Sequence, residues 1–589
     1  MAKTPRAAGT KRKAPAKRPP ALSAKKAATK KAPTKAARKT AAKKPRKAGA
    51  KAKMAAVVSS SGASTPGRLI PDPGSATVRM YRIGHGDCFL LAFPPETAGS
   101  DPIYVMIDCG YKPGSPGKIE PPRTMKDIAD SIRAATGGHI HLMIITHEHQ
   151  DHLNGLTQTY FKDFKFGEVW CAWTEDGSDA FANMLRERFN DRLVGLMRAR
   201  RSLATALDRL SAAGDRDMAR AARRMHSRVS ELLALEIGGE DDDEATISSF
   251  ERELSAARKT ERPTSRNKTA LAFVKDRAEN GIRCLRPHER ILKVSGTAGV
   301  RAFVLGPPRN EKQLLDLDPV GEEEFHIAPF GADASNARTV PLQTSPFAAR
   351  HSVSLDDSFF DGRHGAFFRE HYGNGSSGRD RKNAETREVP DDAAWRRIEH
   401  DWMLSAESLA IAMNDYTNNT SLVVAFELGA GGNVLLFTAD AQRGNWLSWD
   451  RKSFKDGEKK LSVKDLLART VLLKVGHHGS HNATLNGHRS SKYPSLGWIA
   501  AQGDAARQFT AMITAVPAWA KDQPGWNHPL KAIEDALLDK SGGRVFRTDL
   551  DRKAMERRRP DDDKKAWKSF LDRTVFDDLY FDYKVPFEE

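Results

Sequence analysis

The chain has 589 residues, enough for several domains or for one catalytic domain with large insertions. It carries 94 Lys and Arg against 76 Asp and Glu, a formal net charge of +18. No apolar run approaches the roughly 20 residues of a membrane span, and no apolar signal core follows the N-terminal charges. The four cysteines form no close CxxC pair, so we expect neither a zinc ribbon nor a disulfide framework and favour a reducing, cytoplasmic compartment.

The excess charge lies in residues 1–53, which hold 20 cations and no acid and leave 74 cations against 76 acids elsewhere. Lys, Arg, Ala, Pro and Thr dominate this segment, so we expect a disordered tail. Dense mobile cations bind a polyanion by counterion release, which predicts nucleic acid as the partner and, in a bacterium, association with the nucleoid. Solubilisation, nuclear import and attraction to acidic lipid remain alternatives, although a membrane-bound helix would need apolar anchors. The composition is similar to the tails of linker histones and bacterial histone-like proteins.

Strands and helices alternate after a linker over 54–76. Apolar runs of β-type composition predict strands at 77–83, 88–93, 103–108 and 141–146. Before the fourth run, apolar residues at helical spacing predict a helix over 125–136. Later runs predict strands at 301–308, 420–428, 433–440, 470–478 and 509–516.

Two stretches interrupt this alternation and are predicted to be insertions, at about 178–260 and 310–405. The first is rich in Arg, Ala, Leu and Met. It predicts two long helices divided near Gly214, with a solvated Arg-rich face and an acidic loop, GGEDDDE, at its end. The second gives little pattern. The sequence therefore predicts one α/β domain over 77–550, followed by a charged C-terminal extension over 551–589.

The stretch THEHQDHLNG (146–155) places His147, His149, Asp151 and His152 directly after a predicted buried strand. Open α/β sheets usually carry their chemistry at the C-terminal ends of strands. Alternate residues of a tight turn diverge, so His147 and His149 can face one metal ion while Asp151 and His152 face a second. Imidazole and carboxylate are suitable ligands for zinc or a similar ion. The motif is not the helical HExxH of zinc proteases, because Asp151 occupies the fifth position.

An HxHxDH motif after an apolar strand resembles the signature of the metallo-β-lactamase superfamily. Over most of 77–550 the chain resembles that superfamily, and more narrowly the soluble hydrolase domain of ComEC-type DNA-uptake proteins. Besides the motif, the resemblance rests on ordered segments: IGHGDCFLL (83–91), VMIDCG (105–110), NNTSLVVAFE (418–427), LLFTADA (435–441), LKVGHHGSHNAT (473–484), HP (528–529) and RVFRTD (544–549). It implies an αββα sandwich that binds two divalent metal ions, Zn²⁺ or Mn²⁺.

The resemblance also assigns roles to individual residues. It makes His147, His149, Asp151 and His152 metal ligands, and Asp440 the carboxylate that bridges both ions. His477 or His478 would complete the second site, with His478 preferred. Asp151 and Asp440 are the expected catalytic residues, and Asp440 or a water molecule would carry the proton to the leaving group. Asp108 is expected to support the loop by hydrogen bonding.

Supporting roles are expected for four further residues, each with a structural alternative. His85 and Asp87 in IGHGD lie either near the site or in an ordinary hairpin turn. Ser480 and neighbouring amides would bind a phosphate oxygen, unless HHGSHNAT is a plain glycine turn. His528 either lines the site or caps a helix.

Two features depart from the family pattern. Thr438-Ala439-Asp440 stands where the superfamily has Thr-Gly-Asp. The isolated histidine that many members supply before the bridging aspartate has no clear counterpart. His288 and His326 are candidates by position only, and a surface or packing role is the alternative for each.

Two close cations would supply hydroxide at neutral pH without a serine or cysteine nucleophile. Members of the superfamily cleave phosphodiesters, thioesters, lactones and lactams, so the fold does not decide the substrate. The leading hypothesis is a phosphodiesterase or nuclease acting on DNA or RNA. Its enzymatic rival is a hydrolase of a small ester, lactone or nucleotide, with the tail only for localisation. A third hypothesis is a nucleoid-binding protein with an inactive hydrolase scaffold.

Overall fold

The computed structural model describes residues 67–212, 214, 216–239, 243–256, 264–288, 290–325, 401–487, 492–523, 525–561 and 563–587. The basic tail, most of the linker, His326 and most of the second predicted insertion lie outside the described residues.

Eight strands form the first sheet. Their bounds are β1 (Ser75–Tyr81), β2 (Cys88–Phe93), β3 (Ile103–Cys109), β4 (His139–Ile144), β5 (Lys165–Ala172), β6 (Ile282–Leu285), β16 (Thr574–Phe576) and β17 (Tyr580–Pro586). The order across the sheet is β16-β17-β1-β2-β3-β4-β5-β6. Strands β3 to β6 run parallel and the others antiparallel, so the sheet is mixed.

Seven strands form the second sheet. Their bounds are β7 (Leu292–Lys293), β8 (Val300–Gly306), β9 (Val423–Leu428), β10 (Val434–Phe437), β13 (Thr470–Lys474), β14 (Thr510–Ile513) and β15 (Val545–Arg547). The order is β15-β14-β13-β10-β9-β8-β7, parallel from β10 to β15 and antiparallel beyond β10. A separate hairpin consists of β11 (Ser453–Asp456) and β12 (Lys459–Ser462).

Sixteen α-helices are present in the described residues. They are α1 (Met125–Thr136), α2 (Gln150–Leu153), α3 (Gln158–Phe161), α4 (Ala180–Ala212), α5 (Arg216–Ile237), α6 (Asp243–Ala256), α7 (Arg266–Lys275), α8 (Glu311–Leu314), α9 (Asp401–Asn419), α10 (Arg443–Leu447), α11 (Val463–Ala468), α12 (Gly503–Gln508), α13 (Pro517–Ala520), α14 (Lys531–Ser541), α15 (Arg552–Glu556) and α16 (Lys564–Asp572). Among the described residues, none of these helices combines the length and apolarity needed to cross a bilayer.

The main core lies between the two sheets. Phe89 of β2 and Val424 and Phe437 of the second sheet belong to one buried apolar cluster. The opposite face of the first sheet is covered by helices, with Ile128 of α1 and Leu271 of α7 in a second cluster. Strands buried on both faces read as continuous apolar runs, which explains why the central strands were predictable. The predicted α/β class is confirmed as a mixed α/β fold with two large mixed sheets.

The predicted helical insertion contains α4, α5 and α6, with Gly214 in the turn between the first two. These helices pack with α9 around their own apolar cluster, which includes Leu196, Leu233 and Met413. The expectation of a purely solvated arginine face is wrong at Arg200, which is 4% exposed and donates to Ser230 Oγ at 2.8 Å.

The C-terminal segment differs from the predicted extension, because 551–589 contributes two strands to the first sheet. β17 pairs with β1 over all seven residues of each strand. Arg79 and Asp582 lie opposite each other in this pairing and form a buried ion pair at 2.7 Å. The domain therefore continues past residue 550, and its last strand lies beside its first.

Candidate metal centre

The candidate metal centre lies where parallel strands of both sheets end. Asp108 is near the end of β3, the loop from His147 to His152 follows β4, and Asp440 follows β10. The strand predicted over 470–478 ends instead at Lys474, and His478 lies in a 3₁₀ turn (Gly476–Gly479) after it. The amide of Leu422, just before β9, donates to the Thr146 carbonyl at 2.9 Å, which links the two sheets at the site.

Four buried side chains form a group that could hold a metal ion: Asp151, His152, Asp440 and His478. One ligand atom of each lies within 4.8 Å of the others. His478 Nε2 is 3.0 Å from Asp151 Oδ2, and His152 Nε2 is 3.2 Å from Asp440 Oδ2. Asp151 Oδ1 is buried and has no hydrogen-bond partner. An unpartnered buried carboxylate oxygen beside converging imidazoles is costly unless a cation satisfies it, so these residues fit a divalent ion.

His147 and His149 form a second pair of donors beside this group. His147 Nε2 lies 3.1 Å from His149 Nδ1 and 3.9 Å from Asp440 Oδ2. Asp440 Oδ2 therefore lies between both sets of histidines. Although burial raises the pKa of Asp440, His152 and Lys474 hold it well below its usual range, so the carboxylate stays charged.

The other oxygen of Asp440 is occupied by protein donors. Lys474 Nζ and the His477 amide each lie 3.2 Å from Asp440 Oδ1. Lys474 is 1% exposed and also pairs with Asp87 Oδ2 at 2.6 Å. Asp440 therefore presents Oδ2 alone to the histidines. Sequence reasoning missed Lys474, although a charged residue ending the apolar strand TVLLK was a visible signal.

The carboxylates of Asp108 and Asp87 lie beside His152 Nδ1, at 2.8 and 3.8 Å respectively. Asp108 Oδ2 accepts from His152 Nδ1 at 2.8 Å and from Thr146 Oγ1 at 2.6 Å, while its Oδ1 accepts from the Thr146 amide. These two carboxylates and His152 also have the spacing for an ion, but Lys474 and Thr514 already contact Asp87. The arrangement directs His152 Nε2 towards Asp440, which is the supporting role expected for Asp108.

His149 is oriented by a residue that the sequence analysis did not identify. Its Nε2 lies 3.0 Å from Glu236 Oε1 near the end of α5, and Thr417 of α9 donates to Glu236 Oε2. Although burial lowers the pKa of His149, the Glu236 carboxylate raises it above its ordinary value. The contact leaves His149 Nδ1 to face His147. The helical insertion thus completes the site.

The remaining predicted residues line one side of the centre. The His85 ring lies 4.5 Å from that of His478 and 4.9 Å from Trp519, and it stacks on His528. Burial lowers the pKa of His85 and of His528 well below the usual range. His477 lies outside the four-residue group. Burial lowers the pKa of its ring to about 4.

The Ser480 hydroxyl donates to Asn482 Oδ1 at 3.0 Å, and the phosphate-binding role expected of Ser480 stays a prediction. Of the candidates for the isolated histidine, His288 is bound by its own loop through the Arg290 amide, and His326 lies outside the described residues. The NNTS segment contributes polar groups before Asp440 instead. Asn418 Nδ2 lies 3.3 Å from His477 Nε2, and Ser421 Oγ lies 3.3 Å from His147 Nδ1.

Comparisons of the chain with models of known protein families, with curated proteins and with solved structures give no match. The likeness to metallo-β-lactamase hydrolases therefore rests on the sequence motifs alone. The buried His/Asp groups are compatible with metal binding, and their arrangement does not identify the ion.

Proposed function

We propose that the protein is a metal-dependent hydrolase with a metallo-β-lactamase αββα architecture, and that it cleaves phosphodiester bonds in nucleic acid. The observation that carries this proposal is the convergence of Asp151, His152, Asp440 and His478, with Asp151 Oδ1 left unpartnered in a buried position. The adjacent His147 and His149 supply a second set of nitrogen donors that shares Asp440 Oδ2.

Two divalent cations, Zn²⁺ or Mn²⁺, would be held by these residues. Asp151, His152, His478 and Asp440 offer one ion four donors, whereas His147, His149 and Asp440 offer the other three. A set of three protein donors leaves a coordination position open, as in catalytic zinc sites. When bound, the ions would supply an acidified water nucleophile and positive charge at the reacting phosphate.

The residues of the chain prepare this chemistry. Lys474 holds Asp440 Oδ1, so the carboxylate keeps a fixed orientation with Oδ2 towards His152. Asp108 and Glu236 fix the directions of His152 and His149. The rings of Trp519 and His85 are buried against each other beside the site, and such a water-poor wall would strengthen electrostatic interactions inside it.

The choice of nucleic acid as substrate draws on the basic tail. Residues 1–53 carry 20 cations on a chain whose remainder is close to neutral, and such a segment binds polyanions without reading sequence. The burial of the ligands favours a second candidate, because side chains that are at most 3% exposed suit a small ester, lactone or nucleotide. In that case the tail serves localisation alone.

The test combines metal analysis with hydrolysis assays. We expect about two transition-metal ions per chain and hydrolysis of bis(p-nitrophenyl) phosphate that chelation abolishes. Asp151→Ala should lose this activity, and Asp572→Ala, an exposed residue of α16, serves as the control. A metal-loaded protein that hydrolyses esters or lactones and ignores phosphodiesters would favour the second candidate, and one inert towards all of them would favour an inactive scaffold.

A further inference from the structure

Two cysteines face each other on neighbouring strands at one edge of the first sheet. Cys171 of β5 and Cys284 of β6 are register partners, and their Sγ atoms lie 3.1 Å apart. Neighbouring strands are separated by about 4.8 Å, and the Cα atoms of a disulfide-bonded pair are usually about 4.4–6.8 Å apart. Bond formation requires the two sulfurs to approach by only about 1 Å more. The sheet therefore holds these thiols where they can be joined without a change in strand pairing.

The two thiols differ in their access to solvent. Cys171 is 0% exposed, whereas Cys284 is partly exposed. Among the described strands, β6 is the last of its sheet, and Ile282 and Arg283, the two residues before Cys284, are exposed. A reagent in solution therefore reaches Cys284 first, and Cys171 reacts only with a group that is already bound to Cys284.

The surroundings of the pair favour Cys284 as the attacking sulfur. A hydrogen bond with the Cys171 thiol lowers the pKa of Cys284, and the charge of Lys275 also lowers it, although partial burial acts in the opposite direction. The same hydrogen bond, together with burial, raises the pKa of Cys171. The thiolate is the nucleophile in thiol–disulfide exchange. Thiolate character and access to solvent thus occur in the same residue.

We propose that Cys171 and Cys284 are a redox-active pair, which a low-molecular-weight disulfide such as oxidised glutathione converts reversibly into an intramolecular disulfide bond. The Cys284 thiolate attacks one glutathione sulfur, forms a mixed disulfide and releases the other glutathione as a thiolate. The Cys171 sulfur then attacks Cys284 Sγ and displaces the second glutathione. The two cysteine thiols are oxidised, the glutathione disulfide is reduced to two thiols, and the two cysteine protons end on these thiols. An excess of thiol reverses both steps.

The bond would join the two ends of the helical insertion. The cysteines are 113 residues apart in the sequence, and α4, α5, α6 and α7 lie between them. Glu236 of α5, which contacts His149, belongs to this segment. Oxidation would convert a segment whose ends are joined by strand hydrogen bonds into a covalently closed loop.

A second pair of neighbouring cysteines provides an internal control. Cys88 of β2 and Cys109 of β3 are also register partners, but both are 0% exposed and belong to a buried apolar cluster. A reagent in solution does not reach either sulfur in the folded protein, so we expect this pair to stay reduced. The two pairs separate the effect of access from the effect of strand pairing.

The experiment maps the disulfide directly. The folded full-length protein is incubated with oxidised glutathione, its remaining thiols are blocked with N-ethylmaleimide in denaturant, and its tryptic peptides are analysed without reduction. We expect peptides 166–186 and 284–290 to be joined, and Cys88 and Cys109 to carry the maleimide. Dithiothreitol should separate the joined peptides. Four blocked cysteines after this treatment, or a bond between Cys88 and Cys109 in place of the expected one, would overturn the proposal.

Two single variants test the order of the steps. Cys171→Ser should keep glutathione on Cys284 as a stable mixed disulfide, because the second thiol is missing. Cys284→Ser should leave Cys171 unmodified, because Cys171 is buried. A wild-type protein that stops at the mixed disulfide would show that Cys171 does not attack, and glutathione on Cys171 in Cys284→Ser would overturn the assigned order. These measurements do not depend on hydrolysis, so they test the pair independently of the function proposed above.

Discussion

Strained backbone positions are concentrated at the candidate metal centre. Among the described residues, six non-glycine positions have a positive φ, and four of them lie there: Asp108, Ala439, His477 and His478. Each such conformation costs on the order of 1–3 kcal/mol and persists where surrounding contacts enforce it. Ala439, at φ 48°, stands where the resembled family has glycine, the residue that adopts this conformation without strain. At Asp108 and His478 the enforced backbone conformation accompanies a side chain that belongs to the candidate metal-binding groups.

Replacing Lys474 by Met should make the protein more dependent on its metal ions. Lys474 balances Asp87 and Asp440 in a buried position, and losing one partner of such a pair costs about 3–5 kcal/mol. Bound metal ions would neutralise the same carboxylates. The stability lost in Lys474→Met should therefore be larger after the ions are removed by chelation. Thermal unfolding with and without chelator measures the difference. Lys452→Met, which removes a lysine that donates to the Leu305 carbonyl, is the control. Equal chelation shifts in both variants would contradict this role.

The stability of the Lys452→Met variant should depend on pH differently from that of the wild type. Burial lowers the pKa of Lys452 from 10.5 to about 8. Between these values the unfolded chain binds more protons than the folded one, so Lys452 makes stability rise with pH and costs most below pH 8. As the pH rises from 8 to 10.5, the free energy of unfolding of the wild type should increase by on the order of 2 kcal/mol relative to that of Lys452→Met, after allowance for solvent screening. Urea unfolding at both ends of the window tests it, and parallel pH profiles would disprove it.

Sequence reasoning identified the candidate ligands that are close together in the chain and missed the residues that orient them. His147, His149, Asp151 and His152 fall in six positions, so one motif contains them. The contact between His149 and Glu236 spans 87 residues and depends on how α5 packs over the loop. No local pattern encodes such a contact. A buried charge at the end of an apolar run, as at Lys474, is the kind of signal that remains readable.

At the scale of elements, the central strands of the sheets were more predictable than the strands towards the edges. Continuous apolar runs indicated the central strands, whereas β17 was overlooked because FDYKV alternates charged and apolar residues within a charged segment. Its position beside β1 follows from pairing that spans nearly the whole chain. The same limit applies to the helical insertion, whose helices were predicted but whose role over the metal centre depends on packing with α9.

Asp582→Ala should show how much the pairing of β17 with β1 contributes to the free energy of unfolding. It leaves the Arg79 guanidinium buried without its carboxylate, which costs about 3–5 kcal/mol in the free energy of unfolding. Lys584→Ala on the same strand breaks only the exposed pair with Asp72, for which about 0–1 kcal/mol is expected. Urea unfolding of both variants provides the comparison. A loss in Asp582→Ala as small as that in Lys584→Ala, about 0–1 kcal/mol, would show that the β17 pairing contributes little to stability.

Glu236→Ala should test whether α5 helps to hold one ion. Residues that orient a metal-bound histidine typically contribute 10- to 100-fold in affinity, and Glu236 contacts His149 alone among the ligands described above. We expect one ion per chain to bind more weakly while the other is retained. Competition titration with a fluorescent chelator resolves the two affinities, and Arg224→Ala, exposed on α5, is the control. Equal weakening of both ions would argue against this assignment.

At the scale of the whole molecule, the excess positive charge and the candidate metal-binding residues lie in different parts of the chain. The body has 74 cations against 76 acids, and the tail has 20 cations and no acid. A near-neutral body gains little from long-range attraction to a polyanion, whereas in the function proposed above the tail would act through the number of its charges. Catalysis and substrate capture should therefore be separable by truncation.

Deleting residues 1–53 should weaken binding to long nucleic acid and leave the chemical step intact. With on the order of 6 to 10 phosphate contacts, the full-length protein should lose about 10³ to 10⁵ in affinity between 50 and 200 mM salt, and truncation should flatten this dependence. Cleavage of long DNA or RNA should fall mainly through a higher KM, because the tail raises local substrate concentration without contacting the transition state. A small diester, too short to reach the tail, should be hydrolysed at nearly the full-length rate.

A shuffled tail with the same 20 cations should restore binding, since counterion release depends on charge and not on order. Unchanged duplex affinity after truncation would leave the tail without this role, and a lower rate on the small diester would place part of the tail in the catalytic site.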